Sequence, residues 1–234
     1  MRAITTFCLL LLAFTLMACG SDEDSGDQNN LIPGESTSKP EAAAKPEAKA
    51  GSCNEIEAPP PRPGGGEDKP SAQLDSGKTY EVDVNTNCGS FTIALDQRAS
   101  PATAASFVAL TKKGFFDGTI FHRIVPGFVI QGGDPTGTGT GGPGYSTVDK
   151  PPAGVAYTKG VVAMAKTGDE APGTSGSQFY VVTGADAGLP PEYAVLGKVT
   201  RGLGVTQKIG KLGDPATEMP TQTVAIETAT VRER

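Results

Sequence analysis

Phe121-His122-Arg123-Ile124-Val125-Pro126-Gly127-Phe128-Val129-Ile130-Gln131-Gly132-Gly133-Asp134 reads as two short strands around a Pro-Gly turn. Successive side chains of a strand point to opposite faces, so Phe121, Arg123 and Val125 share one face. An arginine between two apolar neighbours is costly unless its guanidinium finds acceptors or reaches a cleft. Gln131 repeats the pattern beside Phe128, Val129 and Ile130. Two long polar groups thus project from apolar strands close in sequence. On this segment alone, an arginine bonded to carbonyls for structure and an arginine serving a site are level readings.

Short apolar runs broken by turn residues continue on both sides. Residues 79–84 and 91–95 alternate or carry β-branched side chains, and Asn85-Thr86-Asn87-Cys88-Gly89 between them suits a hairpin. Ser100-Pro101 opens a helix with Ser at the N-cap and Pro at the first helical position. Its inward face is Ala104, Phe107 and Leu110, and Lys112-Lys113-Gly114 ends it. Further strands are expected over 120–125, 128–131, 161–165, 178–183, 193–199 and 223–231, with a short helix over 205–211. Seven or eight strands and two separated helices predict a mainly β domain, a barrel or sandwich with helical caps, over residues 73–234.

The N-terminal end has a different texture. Arg2 precedes a short apolar stretch over 4–16, which ends in Leu16-Met17-Ala18-Cys19 and an acidic, small-residue tail. This resembles the lipobox of bacterial lipoproteins. The resemblance implies a signal peptide over 1–18, acylation (palmitate) at Cys19 and a lipid anchor in a membrane. An ordinary secretory signal with an incidental cysteine is the alternative. Residues 19–72 read as a disordered tether rich in Pro, Gly and Ala. Lys39-Pro40-Glu41-Ala42 recurs as Lys45-Pro46-Glu47-Ala48, and Gly64-Gly65-Gly66 follows a proline run. Such a stretch has too little apolar surface to offset the entropy of ordering it. Outside the cytoplasm, Cys53 and Cys88 either pair as a disulfide or stay as two thiols.

Several function classes drop out. A net charge of −6 argues against a nucleic-acid partner. The chain has a single histidine, His122, which excludes a multi-histidine zinc site; no metal and no cofactor are expected. Gly137-Thr138-Gly139-Thr140-Gly141-Gly142 matches a dinucleotide pattern formally, but prolines follow where a helix would be needed. Gly173-Thr174-Ser175-Gly176-Ser177 is not a nucleophile elbow. A second polar-in-apolar segment follows it: Met164-Ala165 ends one strand, and Ser177-Gln178-Phe179-Tyr180 begins another. The combination describes an apolar pocket rimmed by hydrogen-bond donors, suited to binding a peptide and reshaping it.

The 121–134 run, the glycine loop 137–142, Met164-Ala165 with the run 173–180, and the run 193–199 together closely resemble the cyclophilins, in order across nearly all of residues 79–231. The resemblance implies a closed eight-stranded antiparallel barrel capped by two helices and peptidyl-prolyl cis-trans isomerase (rotamase, EC 5.2.1.8) activity. Arg123 matches the family's catalytic arginine, with His122 beside it. Phe128 and Val129 match the floor of the proline pocket, Val129 replacing the more usual Met. Gln131 matches the glutamine that bonds substrate backbone, and Gln178 the second groove glutamine. Ala165 and Lys166 fall where the family has Ala-Asn, whose backbone pairs with the peptide. Tyr180 takes a position usually held by Phe, Leu189 matches a pocket leucine, and Tyr193 falls where many members have His. The tryptophan of many eukaryotic members falls near Gly188, which implies weak binding of cyclosporin.

The implied chemistry needs no proton transfer, so a shallow pH profile is expected. Rotation about X–Pro meets a barrier of ~18–20 kcal/mol because amide resonance must be broken. Twisting localises a lone pair on the prolyl nitrogen, and a guanidinium aimed there stabilises the twisted state above the planar one. The expected partners are proline-containing peptides or unfolded exported proteins, met by a monomer anchored in the cell envelope and facing periplasm or exterior. A non-catalytic proline-binding chaperone or scaffold is the alternative. A solute-binding lipoprotein fails because the domain is too small for two lobes.

Overall fold

The structure is a computed structural model that describes residues 53–234. The expected signal segment, Cys19 and the tether as far as residue 52 lie outside the described residues. No helix among the described residues is long and apolar enough to cross a membrane.

The expected hairpin is β1 (Tyr80–Thr86) and β2 (Gly89–Leu95), joined at Asn87-Cys88. Helix α1 (Pro101–Lys112) follows, then β3 (Arg123–Val125), β4 (Val129–Gly132), β5 (Thr147–Val148), β6 (Val161–Met164), β7 (Thr174–Ser175), β8 (Phe179–Val182), β9 (Val195–Arg201), α2 (Leu203–Ile209) and β10 (Ile226–Glu233). Eight strands form one antiparallel sheet in the order β10-β1-β2-β9-β6-β8-β4-β3, and β5 pairs with β7 in a small second sheet.

The expectation of a closed barrel is corrected here. The sheet is open, because its edge strands β3 and β10 do not pair with each other. The gap is spanned irregularly. Ile120 makes single bridges to Asp134 and Ala225, and Phe121 donates its amide N–H to the Val224 carbonyl at 2.9 Å. Gly118 turns there with φ of 75°, so the chain touches the start of β10 without running along it.

Helix α1 buries eight residues, among them Ala104, Phe107 and Leu110. Ser100 sits at the N-cap but its hydroxyl makes no capping bond. Asp149 Oδ2 takes that role from a distant loop, accepting the Thr103 amide at 2.6 Å. Phe107, Phe116, Phe121 and Phe179 stack edge to face or tilted at centroid distances of 4.5–6.1 Å and fill the main core.

Residues 53–72 do not form the disordered tether that composition suggested. Cys53 is disulfide-bonded to Cys88. Beyond it the chain runs as a strap along the domain. Asn54 donates to the Asn87 carbonyl, Arg62 to Pro135, Gly65 to Gly142 and Glu67 to Pro143, at 2.7–3.0 Å. Lys69 Nζ reaches the Ser146 carbonyl at 2.8 Å, and Glu67 pairs with Lys113 at 2.7 Å. Composition misjudged this segment because backbone hydrogen bonds and a covalent link hold it, and neither needs apolar surface. Glycine also permits the contact: a Cβ on Gly144 would lie 2.9 Å from the Gly65 Cα.

Candidate active site

Residues directly opposite in neighbouring strands share a face. The register sets Arg123 on β3 against Gln131 on β4, Gln131 against Tyr180 on β8, and Tyr180 against Ala163 on β6. Two residues along, Val125, Val129 and Val182 form a parallel row on the same face. The intervening row, Ile124, Ile130, Val181 and Val162, is fully buried in the main core. One face of four strands thus builds the core while the other lays an arginine and a glutamine beside a smaller apolar cluster. That cluster is Val129, Tyr157, Ala163, Tyr180 and Val182, with Phe128, Leu189 and Tyr193 packed on it.

Above the cluster lies a cavity of about 280 Å³. Arg123, Phe128, Val129, Gln131, Ala165, Lys166, Tyr180, Leu189 and Tyr193 line it. Nine of the sequence-predicted residues therefore meet in one place. Gln178 stands one cleft away: with Gln131, Ala165 and Lys166 it lines a larger adjoining depression of about 790 Å³, whose other side includes Gly64 and Gly65 of the strap. His122 is in the lining of neither. Its ring packs toward Gly139, where a Cβ would lie 3.6 Å away. Both His122 and Phe121 precede β3, and Phe121, expected on the face of Arg123, lies in the main core instead.

Polar groups connect across the site in a relay. Arg123 Nη1 donates to Gln131 Oε1 at 3.4 Å, and Gln131 Nε2 donates to Gln178 Oε1 at 3.0 Å. Gln178 Nε2 donates in turn to the carbonyls of Gly139 and Gly141, both at 2.9 Å. The glycine loop that receives this relay wraps the buried Asp134 carboxylate, which accepts from the amides of Thr136, Thr138, Gly139 and Gly141 and from the Thr136 hydroxyl. Gly141 is required there, since a Cβ would fall 2.1 Å from Asp134 Oδ1. Burial pushes the Asp134 carboxyl up, but the bonds from Thr136, Gly141 and Gly139 outweigh it and hold the group below its usual value.

Two supports escaped sequence reasoning. Glu218 Oε2 accepts from Arg123 Nε at 2.7 Å across 95 positions. Tyr157 fixes Tyr193 from behind: its hydroxyl donates to the Tyr193 carbonyl at 2.7 Å and accepts the Tyr193 amide at 3.0 Å. Neither residue lies in a recognisable motif, and only the apolar run around Tyr157 hinted at burial. Lys166 is held as well. Its side chain is 3% exposed, and Nζ pairs with Glu192 at 3.1 Å and bonds the carbonyls of Thr167 and Glu170. It also lies 5.6 Å from the centroid of the Tyr193 ring. Burial lowers the pKa of His122 and raises that of Tyr180, so both are neutral at pH 7. The cavity therefore offers a fixed cation, amide donors and an apolar floor. It can grip a small ring and polarise an amide next to it.

Residues 81–231 match the family described as "Cyclophilin type peptidyl-prolyl cis-trans isomerase/CLD". The chain is 37% identical over 155 residues to peptidyl-prolyl cis-trans isomerase-like 1 of Neurospora crassa, covering 64% of this chain and 93% of that protein. It is 36% identical over 171 residues to peptidyl-prolyl cis-trans isomerase A of Mycobacterium tuberculosis, covering 65% and 92%. A crystal structure of a cyclophilin type peptidyl-prolyl cis-trans isomerase from Cryptosporidium parvum superposes with a TM-score of 0.60 at 31% identity, over 66% of this chain and 98% of that one. The same protein has been solved in the presence of the dipeptide Ala-Pro, with a TM-score of 0.60 to this chain.

Proposed function

The chain belongs to the cyclophilin-type peptidyl-prolyl cis-trans isomerase family, and from that premise we propose that it isomerises X–Pro bonds in exported polypeptides through Arg123. The isomerase activity follows from the family. The observation that carries the mechanism is the placement of the Arg123 guanidinium at the wall of a cavity of about 280 Å³ that Phe128, Val129, Tyr180 and Leu189 also line. Phe128, Val129, Tyr180 and Leu189 hold the prolyl ring by apolar contact. Gln131 bonds the carbonyl before the proline. Arg123 donates to the prolyl nitrogen as the amide twists, and does so more strongly in the twisted state than in the planar one. An acceleration of about 10⁵-fold corresponds to roughly 7 kcal/mol of such preference. Arginine suits the task because it stays charged and donates from a rigid fork.

The export setting rests on Leu16-Met17-Ala18-Cys19 and the polar tail after it. In this reading Cys19 carries lipid, residues 20–52 space the domain from the membrane, and the substrates are unfolded proteins outside the cytoplasm. A coupled proline-peptide assay tests the chemistry: wild type turns over and Arg123→Ala loses most of kcat/KM. A wild type without turnover would make the domain a proline binder. Labelling with a radioactive fatty acid tests the anchor, and label that persists on Cys19→Ala would sink it.

A further inference from the structure

We propose that Glu218 is a positioning residue, which sets the plane of the Arg123 guanidinium for the reaction; the idea rests on the isomerase reading above. Residues 213–220 lie against the free edge of β3. Gly213 approaches so closely that a Cβ would stand 2.1 Å from the Ile124 carbonyl oxygen. The Glu218 carbonyl accepts the Ile124 amide at 2.9 Å, and its carboxylate accepts from Nε of Arg123, the residue before, at 2.7 Å. One residue thus grips both the backbone and the side chain of the strand that carries the reacting cation.

The loop is built to hold this pose. Asp214 Oδ1 accepts the amides of Ala216 and Thr217 at 2.7 and 3.1 Å. The Asp214 carbonyl accepts the Glu218 amide at 2.8 Å, and Asp214 donates back to the Met219 carbonyl at 2.9 Å. Glu218 is the one non-glycine residue with positive φ, 59°, among the described residues. A side chain held in that region costs energy that the surroundings must offset, and such positions gather at functional sites. Here the local strain aims a carboxylate at the site's cation.

The consequence for Arg123 is geometric. A guanidinium is planar, with donors in a fixed fork. Nε is taken by Glu218 from the loop over 213–220 and Nη1 by Gln131 from β4. Two anchors fix the plane, and Nη2 makes no hydrogen bond among the described residues. Without Glu218 the fork can rotate about its last bonds, held only by the long 3.4 Å contact to Gln131. The pair is too exposed to matter much for folding: the side chains are 36% and 44% accessible. Its effect belongs to catalysis.

The experiment compares Glu218→Ala with Glu218→Gln, both of which keep a Cβ on the strained backbone. Glu218→Gln retains an acceptor oxygen and drops the charge. We expect Glu218→Ala to lose roughly tenfold in kcat at an unchanged KM, because a misplacement of ~1 Å can cost on the order of 100-fold. Glu218→Gln should recover at least about half of the wild-type kcat. The Arg123 Nε–H resonance in a ¹⁵N spectrum should shift and broaden in the alanine variant alone. Unchanged kcat in Glu218→Ala overturns the idea. So does equal loss in both variants, which would make charge the cause, or faster turnover in both, which would make the carboxylate a brake. The resonance is read without turnover, and wild-type and Arg123→Ala rates are measured beside it. Failure of the isomerase reading is therefore seen separately.

Discussion

Removing the Cys53–Cys88 disulfide should loosen the strap and cost the domain a large part of its stability. The bond spans 35 positions. In the chain-entropy treatment, a closed loop of that size contributes about 3.8 kcal/mol by restricting the unfolded chain. For a domain of this size each kcal/mol moves Tm by roughly 2–4 °C, so the expected drop is roughly 8–15 °C. Both cysteines are buried, 7% and 5% exposed, so the clean perturbation is the double variant Cys53→Ala with Cys88→Ala. Reduction of the folded wild type would be slow. Thermal unfolding by circular dichroism, with and without reductant, gives the magnitude. Strap release has its own readout. Glu55, Glu57 and Glu67 lie on the strap, and a glutamate-specific protease should cut the variant there faster than wild type. The result that refutes the reasoning is a Tm loss below about 3 °C with these sites still protected. The hydrogen bonds from Asn54, Arg62, Gly65 and Glu67 would then hold the strap without the covalent link.

Other outcomes follow from single contacts. The Tyr180 hydroxyl is buried with no hydrogen-bond partner among the described residues, so Tyr180→Phe should raise stability by about 1 kcal/mol in urea unfolding. It should also leave the pocket floor intact. The Asp134 carboxyl sits below its usual value in the fold, so its contribution is present above the unfolded pKa of about 3.9. That contribution is lost as pH falls through the lower folded value. Asp134→Asn should cost about 2 kcal/mol at pH 7, with the gap to wild type closing as unfolding is followed below about pH 4. Lys166→Met removes the cation that ties Glu192 and the 167–170 loop together beside Tyr193. KM for a proline peptide should rise about two- to fivefold with kcat little changed, the size expected for one partly exposed ion pair.

An arginine and a glutamine in apolar strands marked the place, since consistency across levels fails first at functional sites. The segment alone left a structural and a functional arginine level, and the resemblance to the cyclophilins decided between them. Period-two alternation then put Arg123 and Val125 on one face and Ile124 on the other, as the register shows. Turn residues located both helices and most strands to within a few positions. Strand ends were less legible. The expected strand over 120–125 shrinks to Arg123–Val125, because Ile120 makes only isolated bridges. The closed barrel was what the resemblance implied, whereas the residues alone left barrel or sandwich open; here β3 and β10 do not pair.

What stayed hidden shares one physical property. Glu218, Tyr157 and the strap act through contacts that join distant segments: 95 positions separate Arg123 from Glu218, and 36 separate Tyr157 from Tyr193. Periodicity reports which face of an element is buried, not which loop will cover its edge. The loop over 213–220 has few apolar residues, and the strap is Pro- and Gly-rich, so both read as solvent-facing spacers. Yet each lies on the rim of the site, the loop at the free edge of β3 and the strap along the larger cleft. A pocket marked by motifs can thus be framed by segments that those motifs do not mention. In such a domain the motif marks the family, while segments outside it frame the site, the strap at the larger cleft and Glu218 at the Arg123 guanidinium.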